Sequence, residues 1–281
     1  MTHALVDASP MPPLLAVDNV TKTFGGLMAI RKLSFPIHVG EVVGLVGPNG
    51  AGKTTLFNLI IGFYRPDAGE IRINGRPLNG LAPDQVARLG IARTFQSLQV
   101  FGNMTVLENI MVGRHRHARA GLLAAALRLP SVVREERTMR IDALGYLEQA
   151  GLSQLAHQTA ANLSFGQQRR LEIARALSSE PVLLLLDEPG AGLTQEEKDH
   201  LGDLILDVRA AGVTVLLVEH DVDLVMGLAD RVLVLDHGDL IAEGTPDDVQ
   251  NHPQVIKAYL GTSWGESPEH AEGLAVAGGP R

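Results

Sequence analysis

The 281-residue sequence contains no cysteine. That absence excludes disulfides, thiolate metal sites and cysteine nucleophiles together, and it suits a reducing compartment. Basic residues are in deficit, with 24 lysines and arginines against 32 aspartates and glutamates and a formal charge of −8. Such a balance disfavours a broad electrostatic footprint on DNA or RNA. No apolar run approaches the roughly 18 residues that a bilayer crossing needs; the longest candidate is residues 121–127, before Arg128. Residues 1–13 carry neither a basic nor an apolar stretch, so a secretory signal is not expected, and any membrane role has to come through a partner. Sustained heptads are missing, which removes a long coiled-coil arm, and there is no internal repeat. What is present, 45% hydrophobic residues over 281, is enough for one large domain or two smaller ones with a proper core.

One stretch organises the rest. Gly47-Pro48-Asn49-Gly50-Ala51-Gly52-Lys53-Thr54-Thr55 fits G-x-x-x-x-G-K-[ST], with an apolar run at 42–46 before it and a helix-compatible run at 56–61 after it. Strand, glycine loop and helix in that order build a phosphate site. Gly47, Gly50 and Gly52 let the backbone curl with its N–H groups inward, at a helix start whose dipole favours an anion. Lys53 then reaches the β- and γ-phosphates, and the Thr54 hydroxyl sits on Mg²⁺. The plain alternative, an ordinary Gly-rich turn, leaves the flanking strand and helix unexplained.

Residues 1–13, with Pro10, Pro12 and Pro13, read as a loose leader. Residues 14–24 and 33–39 are strand-like, punctuated by Gly25-Gly26 and Gly40-Glu41. Phe24 is placed either to stack on a purine or to fill the core of a β-subdomain. Residues 70–74 form a further short strand closed by Gly75. From residue 91 to about 162 the pattern turns helical, best seen in the apolar row Met139, Ala143, Leu147 and Ala150, which Gly151 stops. The basic run at 114–119 within it reads as a solvated helix end or loop, or as a contact to headgroups or an acidic partner. Buried-strand runs return at 182–186 and 213–218. Residues 231–235 and 239–243 flank a hairpin turn at Asp236-His237-Gly238, and Thr245-Pro246 opens a C-terminal helix fading near Gly261. Residues 262–281 read as a flexible tail.

The run at 182–186 ends in Asp187-Glu188-Pro189, so two carboxylates emerge at the carboxyl end of a buried strand, where open α/β sheets bind ligands. Phosphoryl transfer to water needs a metal near the β/γ-phosphates and a group that orients or deprotonates the water. Asp187 suits the metal, directly or through its water shell, and Glu188 suits the base. Alone, such a pair is more often a helix N-cap; beside the glycine loop it reads as catalytic. The run at 213–218 ends in Glu219-His220-Asp221, which assigns His220 to the γ-phosphate region. No second histidine stands at a metal-ligand spacing from it.

Leu163-Ser164-Phe165-Gly166-Gln167 opens a helix carrying Leu171, Ala174 and Leu177 on one side, with Ser164 and Gln167 as a capping box. Here the chain resembles the ATP-binding cassette (ABC) family, whose signature is L-S-G-G-Q. The resemblance runs from residue 14 to 261 with the motifs in the family's order. It implies an α/β P-loop ATPase domain over 14–261, with an antiparallel β-subdomain and a helical subdomain inserted at about 97–178. It implies ATP and Mg²⁺ as ligands, bound by Phe24, by residues Gly47 to Thr55 and, from a second subunit packed head to tail, by Ser164, Gly166 and Gln167. Gln96 matches the glutamine that senses Mg²⁺ and the attacking water, so the implied metal set is Thr54, Gln96 and Asp187. The implied catalytic set is Glu188, His220, Gln96 and Lys53. Gly190-Ala191-Gly192-Leu193-Thr194 matches the loop that crosses the dimer interface. Phe165 and Thr194 depart from the family's usual glycine and aspartate.

A finer likeness lies in residues 90–96, 104–110 and 241–246, which look like those of the ATPase subunits of bacterial branched-chain amino-acid importers. It implies a peripheral protein on the cytoplasmic face of the plasma membrane. Its partners would be a second ATPase subunit, identical or a paralogue, two transmembrane permease subunits and, indirectly, a solute-binding protein. The alternative is a soluble cassette that clamps nucleic acid or ribosomes, which the single cassette and the acidic balance disfavour.

Overall fold

A computed structural model describes residues 12–114 and 130–259. The expected leader through residue 11, the basic residues 115–119, the apolar run 121–127 and the tail lie outside the described residues. In chain order the first elements are β1 (Leu15–Phe24), β2 (Leu27–Ile37), β3 (Val42–Val46), α1 (Lys53–Ile60), β4 (Ala68–Ile73), β5 (Arg76–Pro77), α2 (Pro83–Arg88) and β6 (Ile91–Arg93). Helices α3 (Val106–Arg114), α4 (Pro130–Gln149) and α5 (Phe165–Leu177) follow. The chain then alternates through β7 (Leu183–Asp187), α6 (Gln195–Ala210), β8 (Thr214–Val218), α7 (Val222–Leu228), β9 (Arg231–Asp236) and β10 (Asp239–Gly244) to α8 (Pro246–Gln250) and α9 (Pro253–Tyr259).

Two sheets result, an antiparallel one ordered β2-β1-β4-β5 and a second ordered β10-β9-β3-β8-β7-β6. The second is parallel from β9 through β6, with β10 antiparallel at its edge. Strand β3 shows why its run is apolar throughout. All five of its residues are buried: Val43 and Leu45 face a core shared with α1 and the antiparallel sheet, while Val42 and Val46 face the core built by α5, α6 and α7. With side chains alternating across the sheet, a strand covered on both faces has no polar side. A third core belongs to the helical region, where Ala143, Leu147 and Ala150 meet Val106, Ile110 and Leu171. Leu177, expected on the same side as Leu171, joins the second core instead.

Three boundaries differ from expectation. Strand β2 begins at Leu27 rather than residue 33. Lys32 at φ +41° and the register shifts of its pairing with β1 break the period-2 pattern there. Residues 91–93, expected to begin the helical stretch, form the last strand of the parallel sheet, too short to show a period. The single C-terminal helix is two, because Pro253 has no N–H to donate and disfavours a helical residue before it.

Candidate active site

The phosphate loop leaves β3 where that strand is clamped between β8 and β9. Gly52 has φ +108°, and a Cβ there would lie 2.6 Å from the Ala29 carbonyl oxygen. It stands as the N-cap of α1 without any side-chain cap, so the first-turn N–H groups receive no such partner. A Cβ on Gly47 would approach the Leu235 carbonyl oxygen to 2.2 Å. Lys53 is buried, its Nζ donating to the carbonyls of Gly47 at 2.5 Å and Pro48 at 3.1 Å. Burial pushes its pKa down, and the negative charges of Glu188 and Asp187 pull it back up.

A cavity of about 520 Å³ opens over the loop, within the usual range for ligand clefts. Asn49, Lys53, Thr54, Gln96, Glu188 and His220 all line it, as does Phe24 at the rim. Phe24 is 39% exposed and meets the edge of Tyr64 with ring centroids 5.0 Å apart, so it is a surface aromatic rather than a core one. Glu188 is the focus. It adopts φ +49°, a conformation rare outside glycine. Its N–H donates to the Val218 carbonyl at 2.8 Å. One carboxylate oxygen lies 2.8 Å from His220 Nε2, and the other accepts from Gln96 Nε2 at 2.9 Å. Three motifs, distant in sequence, therefore meet on one carboxylate.

Asp187 is placed differently. It is buried against Arg93 at 2.7 Å and does not form part of the cavity lining. Thr54 and Gln96 do, and such hard oxygen donors suit Mg²⁺. Among the described residues no cluster of three His, Cys, Asp or Glu could hold a metal by itself. A cation there fits only as one shared with phosphate oxygens.

Ser164, Gly166 and Gln167 lie away from this cavity. The capping box is formed: Ser164 Oγ accepts from the Gln167 N–H at 3.3 Å, and the Ser164 N–H donates to Gln167 Oε1 at 2.9 Å. Phe165 is 45% exposed and packs near Gly192. Thr194 caps α6, accepting from the Glu197 N–H.

Sequence reading missed several contributors. Met28 and Arg31 line the cavity from the part of β2 that was not anticipated. Arg169, wholly buried, donates to the carbonyls of Phe95 and Gln96 at 3.1 Å each and ties the Gln96 loop to α5. Tyr259 on α9 is hydrogen-bonded to the Gly47 backbone, and burial raises its phenol pKa. T-x-x-E at Thr194 to Glu197 is a readable capping signal; Met28, Arg31, Arg169 and Tyr259 depend on contacts that leave no local period.

A glycine loop at the edge of a parallel sheet, a strained acidic residue held by a glutamine and a histidine, and a capped serine segment turned away from its own cavity together define a cassette ATPase. The chain belongs to the ABC transporter family, which it matches over residues 30–191. Residues 240–264 further match the branched-chain amino acid ATP-binding cassette transporter family. The chain is 46% identical to the high-affinity branched-chain amino acid transport ATP-binding protein LivG of Salmonella typhimurium, over 89% of this chain and 98% of that protein. Among solved structures, the ADP conformation of MJ1267, an ATP-binding cassette of an ABC transporter, superposes with a TM-score of 0.77 at 33% identity, covering 88% of this chain and 98% of that one. A dimeric post-hydrolysis state of the cassette MJ0796 bound to ADP and Pi gives 0.70 at 28% identity, covering 83% and 98%. The chain is thus an ATP-binding, ATP-hydrolysing transporter subunit. A role on nucleic acid or ribosomes finds no support in these likenesses.

Proposed function

We propose that this subunit drives import of branched-chain amino acids, hydrolysing MgATP at a site closed by a second ATPase subunit. The solute assignment is supported by the names of the relatives and the match at 240–264. The meeting of Glu188, Gln96 and His220 above the phosphate loop carries the catalytic reading.

Lys53, Thr54 and the loop amides hold the triphosphate; Asn49 and Phe24 stand at the same cavity for the rest of the nucleotide. Thr54 and Gln96 would hold Mg²⁺, and Asp187 would add its negative charge through the ion's water shell. Bound there, the ion supplies neutralisation of the charge that develops on the phosphate oxygens. Glu188 takes the proton of the attacking water, and its strained backbone and two side-chain partners fix its direction. His220 then donates to the γ-phosphate region as Gln96 reports its state. Ser164, Gly166 and Gln167 close over the nucleotide of the facing subunit; their distance from their own cavity and the dimeric MJ0796 cassette support this.

No helix among the described residues is long and apolar enough to cross a membrane. Transport then needs permease partners, and the subunit sits peripherally at the cytoplasmic face. A second cavity of about 400 Å³, lined by Phe95, Phe101, Val112 and Val86, adjoins the Gln96 loop. It suits an apolar segment of the permease, which would feel the loop move. The test is Glu188→Gln: nucleotide binding persists while turnover falls by about 10²-fold or more, as for loss of a general base. Near-normal hydrolysis in that variant refutes the assignment.

A further inference from the structure

Glu219 is a buried carboxylate, 3% exposed, that the steps above do not use. It lies between two functional segments rather than at a surface. One oxygen accepts the Gly190 N–H at 2.5 Å, in the loop directly after Glu188-Pro189. The other accepts the N–H of His220 at 3.2 Å. The fit around the first contact is close. A Cβ on Gly190 would lie 2.9 Å from Glu219 Oε1 and 2.9 Å from Leu224 Cδ2, so a larger residue there would push the ends of both side chains aside. Burial, with Glu188 and Asp221 nearby, opposes the negative charge, and the two amides favour it. Farther along the same loop, a Cβ on Gly192 would meet the Phe165 ring at 3.4 Å. Glu219 thus bonds His220 to the 190–192 loop, and the far end of that loop lies beside the Phe165 ring of the capped segment.

We propose that Glu219 is a positioning residue for hydrolysis, a strut that makes His220 and the 190–194 loop move as one body. Phosphate occupancy sensed at His220 is thereby passed to the segments presented to the second subunit. This rests on the reading of His220 given above. The physical basis is charge-assisted bonding of one rigid carboxylate to two backbone amides in a site with little water.

The test uses the full-length chain. Glu219→Gln keeps the volume but turns one oxygen into an NH₂ group, which cannot accept from an amide. Turnover falls about tenfold in this variant, while nucleotide affinity stays within about twofold, a split that a merely structural loss does not give. Glu219→Asp, which keeps the charge but shortens the reach, shows the same split. In a His220→Ala background the Glu219→Gln change costs less than about twofold further, because the two act as one unit. Wild-type turnover in both Glu219 variants overturns the strut, as do a parallel loss of affinity and losses that multiply with those of His220→Ala. Wild-type turnover in His220→Ala alone, by contrast, overturns the reading of the site and the strut with it.

Discussion

Removing the Arg169 guanidinium tests how the Gln96 loop is held. Arg169 and Glu172 are each 2% exposed and pair at 3.1 Å, and Arg169 also supplies both carbonyls of Phe95 and Gln96. In Arg169→Met the side chain keeps much of its volume, but Glu172 loses its paired cation and is left with the Gln99 and Phe95 amides as hydrogen-bond donors and the charge of Arg175 nearby. Breaking a buried pair from one side costs about 3–5 kcal/mol, because the surviving charge remains in a poorly solvated place. At about 2 °C per kcal/mol for a large domain, the melting temperature falls by about 6–10 °C. The loss depends on pH with a definite sign. Burial already holds the Glu172 pKa above its ordinary value, and loss of the arginine raises it further. A carboxyl whose folded pKa lies above its unfolded value favours the folded state at low pH, and that contribution disappears as pH rises through the folded pKa. The deficit of the variant is therefore smaller near pH 5.5 than near pH 8. Thermal melts followed by circular dichroism at both pH values check it, and Arg169→Met/Glu172→Leu should regain at least half of the loss. A deficit below about 1 kcal/mol, or one that grows on acidification, refutes the placement of this pair as a buried anchor.

The parts of this fold that could be read from sequence are those with a local physical signature. Buried parallel strands must be apolar on both faces, so the runs ahead of Gly47, Glu188 and Glu219 stand out, and with them the sheet edge where the chemistry gathers. The capping box at Ser164 and the N-cap with its following proline at Thr245 satisfy helix ends within four residues, and both formed. What escaped notice is held together across the chain. Arg93 reaches Asp187 over 94 positions, Arg169 reaches Phe95 over 74, and Glu219 reaches Gly190 over 29. No periodicity encodes such a pair. Asp187, beside Glu188, reads from sequence as a metal ligand, and Glu219 reads as one more acidic residue after a strand. Only the loop folding back over it shows that one of these carboxylates serves backbone amides and the other an arginine. Strand β6 escaped for a different reason, since three residues are too few for a pattern and its pairing with β7 alone makes it a strand.

Substitutions at two further positions test local geometry. Gly52→Ala places a methyl group 2.6 Å from the Ala29 carbonyl oxygen at a backbone angle of φ +108°; a cost of about 1–3 kcal/mol and at least tenfold weaker nucleotide binding in a fluorescence titration are expected, and unchanged affinity would contradict the crowding. Thr194 gives the more searching case. Its hydroxyl accepts from the Glu197 N–H at 3.3 Å and donates to Glu197 Oε2 at 3.3 Å, while its own N–H reaches that oxygen at 3.1 Å. Thr194→Ala should cost about 1 kcal/mol as a lost N-cap. An aspartate, the residue usual in the family, could accept as the threonine does but has no hydrogen to give, and its charge would face the Glu197 carboxylate. Thr194→Asp therefore should not raise the melting temperature unless Glu197→Gln accompanies it, since the amide can then donate where the carboxylate repelled. A gain from aspartate with Glu197 still in place would mean that the dipole of α6 outweighs the repulsion between the two carboxylates, and that the threonine hydroxyl hydrogen is not what Glu197 is placed to receive.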